Sequence, residues 1–142
     1  MTEENIEQQE LDAILAEIKD RIPPPWGKTI ACGEGWHQLV AKCHLELKAL
    51  DPNYEICQIK EKFGTLRFYF WTKKDDETEL AMWKTSQKYE LASAELCELT
   101  GKPGKLMFKQ GLYKTLAEEY EKEGWEPSFG VEAVKIFGKE ST

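Results

Sequence analysis

The residues of this chain that could act as nucleophiles, bases or metal ligands are few and scattered. Its four cysteines are Cys32, Cys43, Cys57 and Cys97, with no C-x-x-C pair among them, and its two histidines are His37 and His44. The histidines stand seven apart on a predicted helix, roughly on one face, and His44 directly follows Cys43. Adjacent helical residues diverge by about 100°, so that thiol and imidazole do not face each other as a catalytic pair must. His37, beside Trp36, reads as a polar surface residue. Gly33-Glu34-Gly35 before a helix has the form of an anion-binding turn, but Glu34 opposes a phosphate and no Walker-type lysine follows. Glu118, Glu119, Glu121 and Glu123 form a charge run of the kind that lines a solvated face. No carboxylate is singled out as an acid–base catalyst. The expectation is a non-enzymatic protein with no cofactor and no metal, whose thiols are free and mostly buried.

The strongest local signal is basic and aromatic. Lys60-Glu61-Lys62-Phe63-Gly64-Thr65-Leu66-Arg67-Phe68-Tyr69 reads as a β-hairpin in which Lys60 and Lys62 share one face of the first strand. Arg67, Tyr69 and Trp71 share one face of the second. With Trp36, these residues are the candidate face for an anionic ligand or partner, bound by charge and stacking. The plainer reading is an amphipathic ladder with cross-strand ion pairs to Glu61 or Glu55.

Periodicity supplies the elements that would position this face. Leu11, Ile14, Leu15, Ile18 and Ile22 predict a first helix from about Glu3 to Arg21, stopped by Pro23-Pro24-Pro25. Trp36, Leu39, Val40, Cys43, Leu47 and Leu50 predict a second, ending at Asp51-Pro52. Strands are predicted over Tyr54–Lys62 and Leu66–Thr72, with Gly64 in the turn. Asp76 with Glu79 has capping-box spacing and opens a long helix over about Glu77–Glu98, with Gly101 as its stop. Met82, Tyr89 and Leu96 form one apolar stripe on that helix, and Leu80, Trp83, Leu91 and Ala94 a neighbouring one. A smaller hairpin is predicted over Lys105–Phe108 and Leu112–Thr115, turning at Gln110-Gly111, and then a short helix over Leu116–Glu123. Phe129, Val131, Val134, Ile136 and Phe137 in the tail suit a short helix or an edge strand. The fold class is therefore α+β: an antiparallel hairpin core packed by three helices, with a small C-terminal hairpin appended. One globular unit divides into an N-terminal acidic helix (1–22), an α+β core (23–100), the second hairpin and short helix (101–126) and a tail (127–142).

At 142 residues with 41% apolar residues, one domain with a real core is expected. No apolar run approaches the roughly 18 residues of a membrane span, and the acidic N-terminus lacks the apolar stretch of a secretory signal, so a cytoplasmic protein is expected. Net charge is −7, but residues 54–74 carry five bases and only two acids. An acidic whole argues against non-specific duplex binding and leaves nucleic acid an unlikely partner.

The run Gln58-Ile59-Lys60-Glu61-Lys62-Phe63-Gly64-Thr65-Leu66-Arg67-Phe68-Tyr69 resembles a motif of small bacteriophage and prophage proteins. Gly33-Glu34-Gly35-Trp36 is similar to the helix entry of the same family. The resemblance covers about residues 30–120 and implies a phage-type protein of the host bacterial cytoplasm. Many relatives carry a zinc ribbon, C-x-x-C-G-x-P-G, a hairpin, then C-x-x-H. Here Cys97 matches the first ligand, while Thr100, Ala117 and Tyr120 stand where the other three would be. A lone thiol cannot hold a tetrahedral zinc, so the resemblance implies a degenerate, metal-free ribbon. Its hairpin would instead be held by Leu99, Leu106, Phe108, Leu112, Tyr113, Leu116, Tyr120 and Trp125, packed against the long helix. Three functions compete on this reading. The first is a non-catalytic accessory protein binding a host protein, one version being inhibition of a host defence protein. The second is binding of a small anion such as a nucleotide at the Lys60/Lys62/Arg67 face. The third is nucleic-acid association through Lys102, Lys105, Lys109 and Lys114. A homo-oligomer is compatible with all three.

Overall fold

A computed structural model describes residues 4–128, and the fold is α+β. The Leu11, Ile14, Leu15 and Ile18 stripe forms α1 (Gln8–Asp20), which buries against α2 (His37–Leu50). The first helix starts later than periodicity predicts because the Ile6 backbone is tied to the Gln38 side chain and the N-cap, Glu7, is extended. The Gln38 side-chain oxygen accepts the Ile6 N–H at 2.7 Å and its amide donates to the Ile6 carbonyl at 2.8 Å. The expected start, Glu3, lies outside the described residues.

The hairpin is present as β2 (Glu55–Lys62) and β3 (Thr65–Trp71), with β1 (Ile30–Ala31) added parallel to β2 on its other side. Phe63 (φ 52) and Gly64 (φ 83) both lie at positive φ, as a two-residue hairpin turn matched to strand twist requires. A bulge at Cys57 breaks strict alternation, so Ile56 and Ile59, three apart, both point into the core. Ile56, Ile59, Leu66 and Phe68 then pack with α1 and α2, while the other face of the sheet carries polar and aromatic side chains.

The long helix, α3 (Asp76–Ser93), is capped by Asp75, which accepts the Thr78 hydroxyl at 2.7 Å, rather than by Asp76. It ends five residues before the predicted Glu98. Beyond Ser93 the chain turns to pair Leu96 with Pro103 and folds residues 97–101 into a tight knuckle, where Gly101 is a turn residue (φ 79) and not a helix stop.

The second hairpin, β4 (Lys105–Lys109) and β5 (Leu112–Leu116), gains β6 (Glu126–Pro127) against β4. The predicted short helix is a 3-10 segment, Glu118–Glu123, because Leu116 completes β5. The core of this hairpin is Cys97, Met107, Leu116 and Ala117, with Tyr120 and Trp125 packed against them. Leu99, Phe108 and Leu112 are exposed instead, since alternation along β4 turns Met107 inward and Phe108 outward. The tail residues Phe129, Val131, Val134, Ile136 and Phe137 lie outside the described residues.

The hairpin docks on the entry to α2, not along α3. The Gly35 N–H donates to the Glu98 carbonyl at 2.7 Å, the Gly33 N–H to Glu98 Oε2 at 2.9 Å, and the Trp36 indole to the Leu96 carbonyl at 2.9 Å. Gly35 is needed for its lack of a side chain. A Cβ there would lie 2.5 Å from the Gly101 nitrogen, 2.6 Å from the Glu98 carbonyl oxygen and closer still to the Cys97 carbonyl oxygen. These are backbone atoms that cannot swing aside. Gly35→Ala is therefore expected to cost at least about 3 kcal/mol in urea denaturation. Gly111→Ala, where only the positive φ opposes a Cβ in open space, is expected to cost about 1–2 kcal/mol.

Candidate functional site

The β2–β3 register sets Lys60 opposite Arg67, Lys62 opposite Thr65 and Glu55 opposite Trp71. Directly paired residues share a face, so Lys60, Lys62, Arg67, Tyr69 and Trp71 all occupy the side of the sheet away from α1 and α2. Tyr69 is 42% and Trp71 48% exposed. Lys73 lies 5.7 Å from the Trp71 ring centroid, and Lys62 5.8 Å from that of Phe63. Arg67 is drawn to the edge of the face by Glu90 of α3, at 3.8 Å, and by the Thr65 hydroxyl, at 3.0 Å. Glu61 does not pair with this face. It turns to the other side, accepting the Gly64 N–H at 2.8 Å and facing Lys114 at 3.5 Å.

Trp36 is not part of the face. It is fully buried in the core beside Val40, with its indole committed to Leu96. Read from sequence, an aromatic at a helix entry and an aromatic on a sheet face look alike, and only the three-dimensional packing separates them. The Gly33-Glu34-Gly35 turn does receive an anion, but it is the chain's own: the Glu98 carboxylate, 5% exposed, sits on the Gly33 N–H and is neutralised by Lys114 at 3.3 Å.

The lysines of the second hairpin are similarly engaged. Lys102 faces Glu119 at 3.3 Å, Lys105 faces Glu121 at 3.4 Å, Lys109 donates to the Glu123 carbonyl at 2.7 Å, and Lys114 lies between Glu61 and Glu98. A phosphate backbone would have to displace these partners.

Around Cys97 the four ribbon positions are drawn together. Burial alone would raise the Cys97 thiol pKa, but hydrogen bonds from the Thr100 hydroxyl and from the N–H groups of Thr100, Ala117 and Leu99 outweigh it and hold the pKa below its ordinary value. Tyr120 packs against the same cluster, and the charge of Cys97 is among the causes that raise its phenol pKa, after burial. The donor set here is one thiol, one hydroxyl, one methyl and one phenol, which does not fit structural zinc. Among the described residues no three of His, Cys, Asp and Glu cluster as a metal would require.

Sequence reasoning missed His44, which is fully buried rather than displayed beside His37. Its Nδ1 lies 2.6 Å from the Tyr54 hydroxyl and its Nε2 2.9 Å from Glu17 Oε2, where Lys48 also donates at 2.8 Å. Burial lowers the His44 pKa despite the pull of Glu17, so the ring is neutral. Because the carboxylate only accepts, Nε2 carries the proton and Nδ1 accepts from Tyr54. His37 is half-buried, and burial lowers its pKa as well. The thiols of Cys32, Cys43 and Cys57 are pushed up by burial, Cys32 to about 12, which leaves them poor nucleophiles at neutral pH.

No protein-family model matches the chain, and neither curated proteins nor solved structures show significant similarity to it.

The Glu17–His44 pair gives a signed pH dependence. Hydrogen bonds from Lys48 and then His44 hold Glu17 at about 2, below its ordinary 4.5, so its contribution is present above 4.5 and lost as pH falls toward 2. His44 is depressed below 6.5, so the unfolded chain takes up its proton first and stability is lost as pH falls below 6.5. Thermal melts are expected to fall steadily below pH 6.5, with the limb below 4.5 shallower in Glu17→Gln. A second outcome concerns the ribbon positions. Elemental analysis is expected to find about one zinc per chain in the triple variant Thr100→Cys, Ala117→Cys, Tyr120→His, and none in stoichiometric amount in the parent.

Proposed function

We propose that this chain is a non-catalytic, phage-type accessory protein that binds a host protein through the uncovered face of β2–β3. The observation that carries this reading is the convergence of Lys60, Lys62, Arg67, Tyr69 and Trp71 on one face of a sheet whose other face is the core. Among the described residues Lys60 and Lys62 make no ion pair, so their charge is available. Aromatic and arginine side chains together with uncommitted cations are the composition of binding hot spots. The face is basic on an acidic molecule, which selects an acidic patch on the partner and steers its approach. The resemblance to phage proteins supports a host target in the bacterial cytoplasm, a defence protein being one candidate. No described helix is long and apolar enough to cross a membrane.

Two features weigh against catalysis. Cys97 and His44 are both fully buried. Their hydrogen bonds are satisfied within the fold, so neither is presented to a substrate.

A small anion such as a nucleotide is the second reading, favoured by the cations set beside Trp71 and Phe63. The placement of the two lysines counts against it. Neither the groove beside α2 and α3 nor the clefts at Arg67, at Arg21 and at Trp71 are lined by Lys60 or Lys62, whereas small-ligand sites are concave.

The test is a partner capture followed by titration. The double variant Lys60→Glu, Lys62→Glu is expected to keep its melting temperature and to weaken partner affinity at least about tenfold, near 1.4 kcal/mol. Nucleotides are expected to leave the melting temperature flat. A partner bound equally by the double variant, or a nucleotide-dependent rise in melting temperature, would remove this reading.

A further inference from the structure

Helix α3 carries two apolar stripes, and the fold uses one. Met82, Ser86, Tyr89 and Ser93 face inward. On the opposite side Leu80, Trp83, Gln87 and Leu91 form a ridge at helical spacing, with Leu80 51%, Trp83 53% and Leu91 72% exposed. Three large apolar side chains in one continuous row on a well-formed helix are more than scattered surface hydrophobics.

The ridge has unlike flanks. Toward α2 it forms the lip of an open groove of about 990 Å³. The floor is apolar, made by Leu39, Ala92, Leu96 and Pro103, and Lys42 of α2 stands on its far side with Lys84 and Lys88 on the α3 side. Toward β3 the ridge borders a smaller cleft of about 270 Å³ whose α3 side carries Glu79 and Glu90. Glu95 also lines the groove and Lys88 is matched by Glu46 at 2.8 Å, while Glu90 shares its cleft with Arg67 at 3.8 Å. The balance is net basic on the groove edge, through Lys42 and Lys84, and net acidic on the strand edge.

We infer that the occupant of this groove is the α3 ridge of a second copy, so that the protein forms a two-fold homodimer. An isologous contact requires one patch to be complementary to itself, and an apolar ridge lying beside an apolar groove satisfies that condition in shape. Charge chooses the arrangement. A two-fold axis running roughly along α3 seats each ridge in the other copy's groove and brings the Glu90 edge of one copy to the Lys42 side of the other. An axis across α3 would set groove against groove and bring Lys42, Lys84 and Lys88 against their own copies. Ridge-into-groove helix contacts of this kind are the ordinary way helices bury such a row.

The contact borders Arg67 and Tyr69 at the edge of the binding face but does not use Lys60, Lys62 or Trp71, which line neither the groove nor the smaller cleft. A dimer therefore presents two basic faces at once. On a partner with repeated or two-fold acidic surfaces, the second attachment becomes intramolecular and strengthens binding without new contacts.

Sedimentation equilibrium of the full chain tests the inference directly. The parent is expected to show a monomer–dimer equilibrium with a dissociation constant on the order of 1–100 µM. Trp83→Glu and Leu91→Glu, both at exposed positions, are each expected to weaken it at least about tenfold with unchanged circular dichroism. Lys42→Glu and Glu90→Lys are expected to weaken it singly and to recover affinity in combination, as a pair in contact does. Lys60→Glu with Lys62→Glu is expected to leave it unchanged, which separates this contact from the partner-binding face. A parent that stays monomeric throughout that concentration range would overturn the inference. So would a dimer indifferent to both Trp83→Glu and Leu91→Glu.

Discussion

The arrangement of this molecule depends on the meeting of two backbones. The entry to α2 and the knuckle after α3 approach so closely that Gly33 and Gly35 have no room for side chains, and their N–H groups are satisfied by Glu98. A helix entry offers donors that must be paired, and Glu98 supplies both acceptors, its carboxylate to Gly33 and its backbone carbonyl to Gly35. Hydrogen bonds to an ionised group are worth about 1.5–3 kcal/mol, and removing either side would leave a buried charge or buried N–H groups exposed to no solvent. Lys114 completes the set by balancing Glu98 from β5. The same carboxylate thus joins α2, the knuckle and the second hairpin.

Seen from this contact, the rest of the fold divides into two cores with a shared wall. The larger core holds α1, α2 and the β1–β2–β3 sheet, and the buried Glu17–His44–Tyr54 chain ties α1 and α2 to the start of β2. The smaller core gathers Met107, Leu116 and Ala117 around Cys97. A hydroxyl and three N–H groups converge on the Cys97 sulfur, the kind of environment that favours a thiolate. Packing and hydrogen bonding hold this knuckle together. Gly64 adds a second seam between the cores, accepting the Thr115 hydroxyl at 2.6 Å. With the scaffold fixed in this way, Arg67 is held at the edge of the outer face of β2–β3 by Glu90, while Lys60 and Lys62 are left without an ion pair among the described residues.

Much of this was legible in the residues, for reasons that differ by element. The second helix, the hairpin and the smaller hairpin followed from strong periodicity and from turns whose glycines need positive φ. The basic face was legible because alternation along a strand assigns sides reliably, apart from the bulge at Cys57, which only the three-residue spacing of Ile56 and Ile59 betrayed. Other features were not local. The end of α3 at Ser93 is imposed by the knuckle and its bonds to Gly35 and Trp36, more than 50 residues away in sequence. Trp36, assigned to the binding face, is core because its indole meets Leu96. His44 gave no signal, since a buried histidine is recognisable only once Glu17 and Tyr54 have been brought to it. The two stripes of α3 were both visible in the pattern, but which of them the core uses depended on where β3 and α2 lie.

Native-state hydrogen exchange in the presence of a chelator tests most directly whether the Glu98 contact holds the two cores as one cooperative unit. The account predicts that the amides of Gly35, Cys97 and Glu98 exchange only with global unfolding, alongside those of Ile56 and Ile59 in β2. Exchange of Cys97 and Glu98 through a low-energy local opening, while the β2 amides stay protected, would contradict it.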